Sequence, residues 1–182
     1  MAVWEVLDEA ERLRWGCVPF ESVGPIRFGM SHDEVEAAVA DVLETWSIRP
    51  LRDGRMSRTL MLPGRARRPA VTLYFTDSDQ VFCAAVNGRC GPQVTLGGVR
   101  LVGRVPSEVE TEFVAYADTH GASPRYSLSN DPAAQGLGIV LCAQRAGDVL
   151  VSRPVFVGRA WDHCFWDASE SCIPSVEWSQ VY

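Results

Sequence analysis

Lysine is absent from the 182 residues, so all 17 basic side chains are arginine. Gly97-Gly98 and Gly136-Leu137-Gly138 are therefore read as turns, because neither has the length or the lysine of a phosphate-cradling P-loop. No run approaches the roughly 18 consecutive apolar residues of a membrane span. The opening stretch MAVWEVLDEAERLRWGC carries Glu5, Asp8, Glu9 and Glu11 where a secretory peptide needs a basic start and an unbroken apolar centre. Export is not supported, and a cytoplasmic location is expected. Tight CxxC pairs are also missing: Cys17, Cys83, Cys90, Cys142, Cys164 and Cys172 have none of the spacing of structural zinc. A reducing compartment leaves such cysteines as free, small hydrophobes, with a disulfide or a metal as the lesser alternatives.

What is present is enough to fold. An apolar fraction of 47%, with six tryptophans, fills the core of one ordinary domain or of two small ones sharing a core. The net charge of -6 is unevenly spread. The Arg49–Arg68 stretch is strongly basic and opposed only by Asp53, whereas the chain after Arg159 has Asp162, Asp167, Glu170 and Glu177 and no Lys or Arg.

Val3, Trp4, Leu7 and Ala10 fall at helical spacing and Asp8 precedes Arg12 by one turn, so residues 2–14 read as an amphipathic helix. Ser31 and Glu34 have capping-box spacing before an apolar stripe of Val35, Ala38, Val39, Val42 and Leu43. Residues 71–75 and 81–86 read as a hairpin of strands around Thr76-Asp77-Ser78-Asp79, with 94–96 as a further strand. A second helix is expected from Pro106-Ser107, with Ser107 and Glu110 as its capping box and Val109, Phe113, Tyr116 and Ala117 as its stripe. Strands follow at 138–142 and 149–157.

The pattern is written twice: Ile26-Arg27-Phe28 before the first helix corresponds to Val99-Arg100-Leu101 before the second. One helix beside two or three strands leaves an apolar sheet face wet, which a second copy would cover. The expected fold is therefore α+β: two tandem helix-plus-antiparallel-strand units forming a shared sheet packed by helices, with an N-terminal helix. The expected segments are 1–18 as that helix, 19–96 as the first repeat and 97–182 as the second with its aromatic, acidic tail.

The string Ile26-Arg27-Phe28-Gly29-Met30-Ser31 followed by Glu34-Val35 resembles the repeat of the β-lactamase inhibitor protein and of the BamE (SmpA/OmlA) lipoproteins. The second copy departs from it, with Gly103-Arg104-Val105-Pro106 in place of Gly-Met, and the chain lacks the export features of both groups. The resemblance implies an architecture used for protein binding, without naming a partner.

Catalytic constellations are sparse. His163-Cys164 joins a base to a nucleophile, but neighbours on a strand point to opposite faces, and His32 and His120 are the remaining imidazoles. Asp33, Glu34 and Glu36 suit the first turn of a helix, and Asp77 and Asp79 suit a hairpin turn. No catalytic residue, metal or cofactor is assigned. The tail offers Trp161, Phe165, Trp166 and Trp178 as aromatic anchors and Asp162, Asp167 and Glu170 as a steering rim, a combination suited to a basic protein surface, with core closure as the plainer reading. The expected function is a noncovalent protein-binding module, an inhibitor or immunity-type protein blocking a partner enzyme or basic toxin. A thiol enzyme using Cys164 in a cleft between repeats, and a nucleic-acid binder using the Arg49–Arg68 loop, are the competing expectations.

Overall fold

The computed structural model describes residues 4–64 and 69–179. It overturns the α+β expectation: the chain is mostly β, about 38% strand and 20% helix, in two sheets with three short helices among the described residues. The N-terminal helix is not there either. Ala2 and Val3 lie outside the described residues, Glu9–Glu11 form one 3-10 turn, and strand β1 (Arg14–Val18) follows. The local Asp8–Arg12 spacing loses to a tertiary partner. Arg12 is buried, and its guanidinium donates to the carbonyls of Gly91 (2.7 Å), Gly88 (2.8 Å) and Arg89 (3.2 Å).

A small sheet contains β1, β2 (Ser22–Val23), β3 (Ile26–Arg27), β8 (Gln93–Leu96) and β9 (Val99–Arg100), in the order β3-β2-β1-β8-β9. β1 runs parallel to β8, with Trp15 opposite Val94. Gly24 makes the β2–β3 turn at φ +59°, and a side chain there would run into the Trp15 ring.

The large sheet is made of two antiparallel meanders. β4 (Glu44–Pro50), β5 (Met56–Met61), β6 (Pro69–Phe75) and β7 (Val81–Val86) form one; β10 (Ser123–Tyr126), β11 (Pro132–Gln135), β12 (Ile139–Ala146) and β13 (Val149–Val157) form the other. They join where Val155 of β13 faces Ala85 of β7. The basic stretch is not one loop: Arg49 lies on β4 and Arg58 on β5, Arg52 and Arg55 lie in the turn between them, and Arg65, Arg67 and Arg68 fall outside the described residues.

Alternation divides the side chains of the large sheet. Leu73, Ala84, Val86, Ile139, Leu141 and Phe156 face one core, together with the small sheet, α1 (His32–Val39) and α2 (Pro106–Thr119). This core takes Trp15, Val35 and Phe113 alike, so residues from 1–18, 19–96 and 97–182 share it. Ser31 and Glu34 form the capping box of α1. The corresponding pair in α2 does not form: the helix begins at Pro106 after Val105, and the Glu110 carboxylate accepts from the Tyr126 hydroxyl instead. Pro106 has no N–H to satisfy at the helix start, and the Glu108 N–H bonds to the Val105 carbonyl at 3.1 Å in place of a side-chain cap.

Candidate functional site

The other face of the large sheet carries Tyr74, Phe82, Cys83, Ala85, Val140, Cys142, Val155 and Val157, and the C-terminal segment covers them. Phe165 is 0% exposed and Ile173 is buried with it, while Trp161, Trp166 and Trp178 pack partly buried around them. The Trp161 and Phe82 rings lie 4.6 Å apart. Four of the seven tail residues read from sequence as partner contacts are therefore inner-layer side chains. Of the acids, Asp162 accepts from the Gly136 N–H (3.0 Å), Asp167 accepts from the Ser169 N–H (2.8 Å) and hydroxyl (2.6 Å), and Glu170 is exposed.

Three devices shape this cover and hold it down, the first within the cover and the other two between it and the sheet. The first is a disulfide between Cys164 and Cys172, with Cα atoms 6.1 Å apart, which replaces the expected free thiols. Their separation of eight residues gave no hint because the intervening turn at Ala168–Glu170 folds back on itself. The second is Arg55, which donates to the carbonyls of Ser171 (3.0 Å) and Cys172 (3.4 Å) and lies over the rings of Phe82 and Trp161. The third is a buried ion pair. Glu177, on α3 (Ser175–Trp178), is 1% exposed; it pairs with Arg153, 2% exposed, and accepts from the Tyr74 hydroxyl. Burial pulls the Arg153 pKa below its usual value, and it raises that of Tyr74.

The Arg55 clamp gives a pH prediction. A side-chain hydrogen bond from Arg55 holds Asp53 below its ordinary pKa, and hydrogen bonds from Ser169 do the same for Asp167. A depressed carboxylate stabilises the fold above its unfolded pKa, and that contribution is lost as pH falls through the folded value. Tryptophan emission from the tail is expected to shift to the red below about pH 4, and Asp53→Asn should reduce the amplitude of that step. A variant titration that overlays the wild type would show that Asp53 does not hold the tail.

The cover is incomplete. Beyond α3 the same sheet face is open as a groove with a cavity of about 440 Å³. Ser57, Thr59, Thr72 and Tyr74 form part of its floor, and Val176 of α3 contributes to its lining. Trp46 also lines it, from a bulge between Thr45 and Ser47 in β4, and bulges re-aim side chains in this way. The charged lining residues are Arg49, Arg89 and Arg153; no carboxylate is among the described residues that line it. Gln144 is spent on structure, its side-chain oxygen accepting from the Gly88 N–H at 2.7 Å. Arg153 is committed to Glu177, so an anionic group in the groove would meet the exposed Arg49.

The candidates for covalent chemistry are not brought together. Cys164 is in the disulfide and His163 is exposed beside it. Burial raises the thiol pKa of Cys17 and of Cys142 to about 12 and pushes that of Cys83 up as well, so these thiols stay protonated and unreactive at neutral pH. His32 stacks on Phe75, with ring centres 3.6 Å apart, and faces Asp79 at 3.5 Å. Glu36 pairs with the buried Arg58 at 2.7 Å, while Glu34 caps α1.

Sequence reasoning passed over Trp46, Arg89 and Arg153. Arg153 carried a usable signal: a lone charge inside VLVSRPVFV has to find a partner if the strand is buried. Arg89 and Trp46 carried none, since only the strand order brings them beside Arg153. No protein-family model matches the chain, and no curated protein or solved structure matches it.

Proposed function

We propose that this protein is a noncovalent binding module of the inhibitor or immunity type, which receives its protein partner at the arginine-lined groove. One observation carries the reading. A chain of net charge -6 exposes Arg49 at an open cavity whose described lining holds no carboxylate, with Arg89 also in that lining and Arg153 there paired to Glu177. Such local inversion of charge focuses an anionic group where a long-range field would repel it. The groove rather than the tail is the docking surface in this reading, because the aromatic anchors of the tail are committed to the sheet.

Neither competing function has comparable support. Cys164 is not a thiol, and of the basic stretch Arg55 and Arg58 are committed to Asp53, Glu36 and the tail. No helix among the described residues is long and apolar enough to cross a membrane. The disulfide favours a compartment more oxidising than the cytosol, against the cytoplasmic placement expected from the sequence. Alkylation of Cys164 and Cys172 at the moment of lysis reads which of the two applies.

The test is a capture from the cells that make the protein, with wild-type, Arg49→Glu and Glu170→Arg chains as baits. Arg49→Glu is expected to lose the captured partner by at least tenfold, corresponding to about 1.4 kcal/mol, while Glu170→Arg retains it. The reverse pattern would move the interface to the acidic tail and refute the groove.

A further inference from the structure

We infer that the partner enters as an extended acidic segment, added as a ninth strand along β4 with alternate carboxylates falling into the arginine-lined groove. This rests on the groove being the docking surface. It adds the conformation and chemistry of what docks there.

The two edges of the large sheet are unlike. A sheet edge presents a row of backbone N–H and C=O groups, and proteins blunt such edges with proline and charge. β10 is blunted in that way, by Pro124 and Arg125 within four residues, Arg125 being held to Gln135 at 3.0 Å. β4 is the opposite edge and is longer, and its middle, Thr45-Trp46-Ser47-Ile48, has neither proline nor charge. Trp46 and Ile48 are 46% and 49% exposed on it. Glu44, Arg49 and Pro50 flank this stretch, so the uncharged template that it offers another strand, with its exposed large side chains, is four residues long.

Register connects this edge to the groove. Ser47 pairs with Thr59 and Arg49 with Ser57; Thr59 pairs in turn with Thr72 and Ser57 with Tyr74, and all of these line the groove. A strand laid against β4 therefore turns every second side chain onto the face of Ser47 and Arg49, about 7 Å apart along its length. In strand addition the backbone supplies affinity and the pockets under alternate side chains supply selection. Here that selection is for a carboxylate, which the exposed Arg49 complements, and Trp46 walls the groove at the bulge. A nucleic acid is the weaker occupant: it has no use for the edge amides, and the net charge of -6 opposes a polyanion.

The experiment uses the whole chain and an end-blocked octapeptide library with Asp or Glu at alternate positions, beside a matched library with Asn or Gln there. The acidic library is expected to bind preferentially, and Arg49→Gln should weaken its best member roughly tenfold, the effect of losing a charge-assisted hydrogen bond. N-methylation of one alternate set of that peptide's amides should abolish binding, and methylation of the other set should change it less than threefold, because only one set can face β4. Equal loss from both methylated sets, no preference over the amide library, or displacement by an equal concentration of a single-stranded oligonucleotide would each overturn the inference. If acidic peptides bind and depend on Arg49 but ignore the methylation register, strand addition fails while the groove reading stands. If Arg49→Gln and Arg89→Gln leave all binding unchanged, both fail.

Discussion

Glu177→Leu is expected to destabilise the fold by about 3–5 kcal/mol, measured as a shift of the urea midpoint at constant slope. The carboxylate and the Arg153 guanidinium are both almost wholly out of water, so removing one leaves the other charged, desolvated and without its opposite. The comparison that identifies the mechanism is the joint replacement Glu177→Leu with Arg153→Leu, adding Tyr74→Phe so that no hydroxyl is orphaned. Because a buried pair returns little net energy over apolar side chains, this triple variant should come back to within about 2 kcal/mol of wild type. A single variant that loses less than about 1 kcal/mol would mean that α3 does not sit over Arg153 at all.

Phe165→Ala is expected to cost about 3–5 kcal/mol, the usual range for emptying a buried aromatic site. Its ring is fully buried among Val155, Val157 and Cys83 on the tail side of the sheet, and the disulfide keeps the surrounding turn from collapsing into the vacancy. Acrylamide quenching of tryptophan should rise in the variant, since Trp161 and Trp166 pack against the same cluster. Were the tail a loose interaction arm, the same substitution would leave the unfolding midpoint in place and alter partner affinity alone.

Much of the local structure was legible and the layering was not. Residues 71–75 and 81–86 announce strands by β-branched and aromatic content, and Ser31 with Glu34 announces a helix start. Residues 44–61 misled because arginine was read as solvent-seeking. Arg58 points into the helix-side layer and satisfies its charge on Glu36 and the His32 carbonyl, partners that only the folded sheet places there. Residues 4–13 misled for the same reason, Arg12 finding its carbonyls around Gly88 and Gly91 rather than one turn back. The emphasis on helices followed from their conspicuous caps, whereas inner strands such as Val81–Val86, buried along their whole length, carry no alternation that tells how the sheets layer. The groove was invisible because Arg49, Arg89 and Arg153 belong to three separate segments, joined only when β7 pairs with β13.

The C-terminal segment is a structural layer that leaves the arginine groove open. The most direct measurement is the thermal unfolding of a chain ending at Gly158, compared with the full chain by near-ultraviolet dichroism and calorimetry. Loss of the cooperative transition, with Phe82, Val140 and Val155 wetted and Arg153 stripped of Glu177, is the predicted result. A truncated chain that melts cooperatively at the full-length temperature would contradict it and return the tail to the role of a free arm.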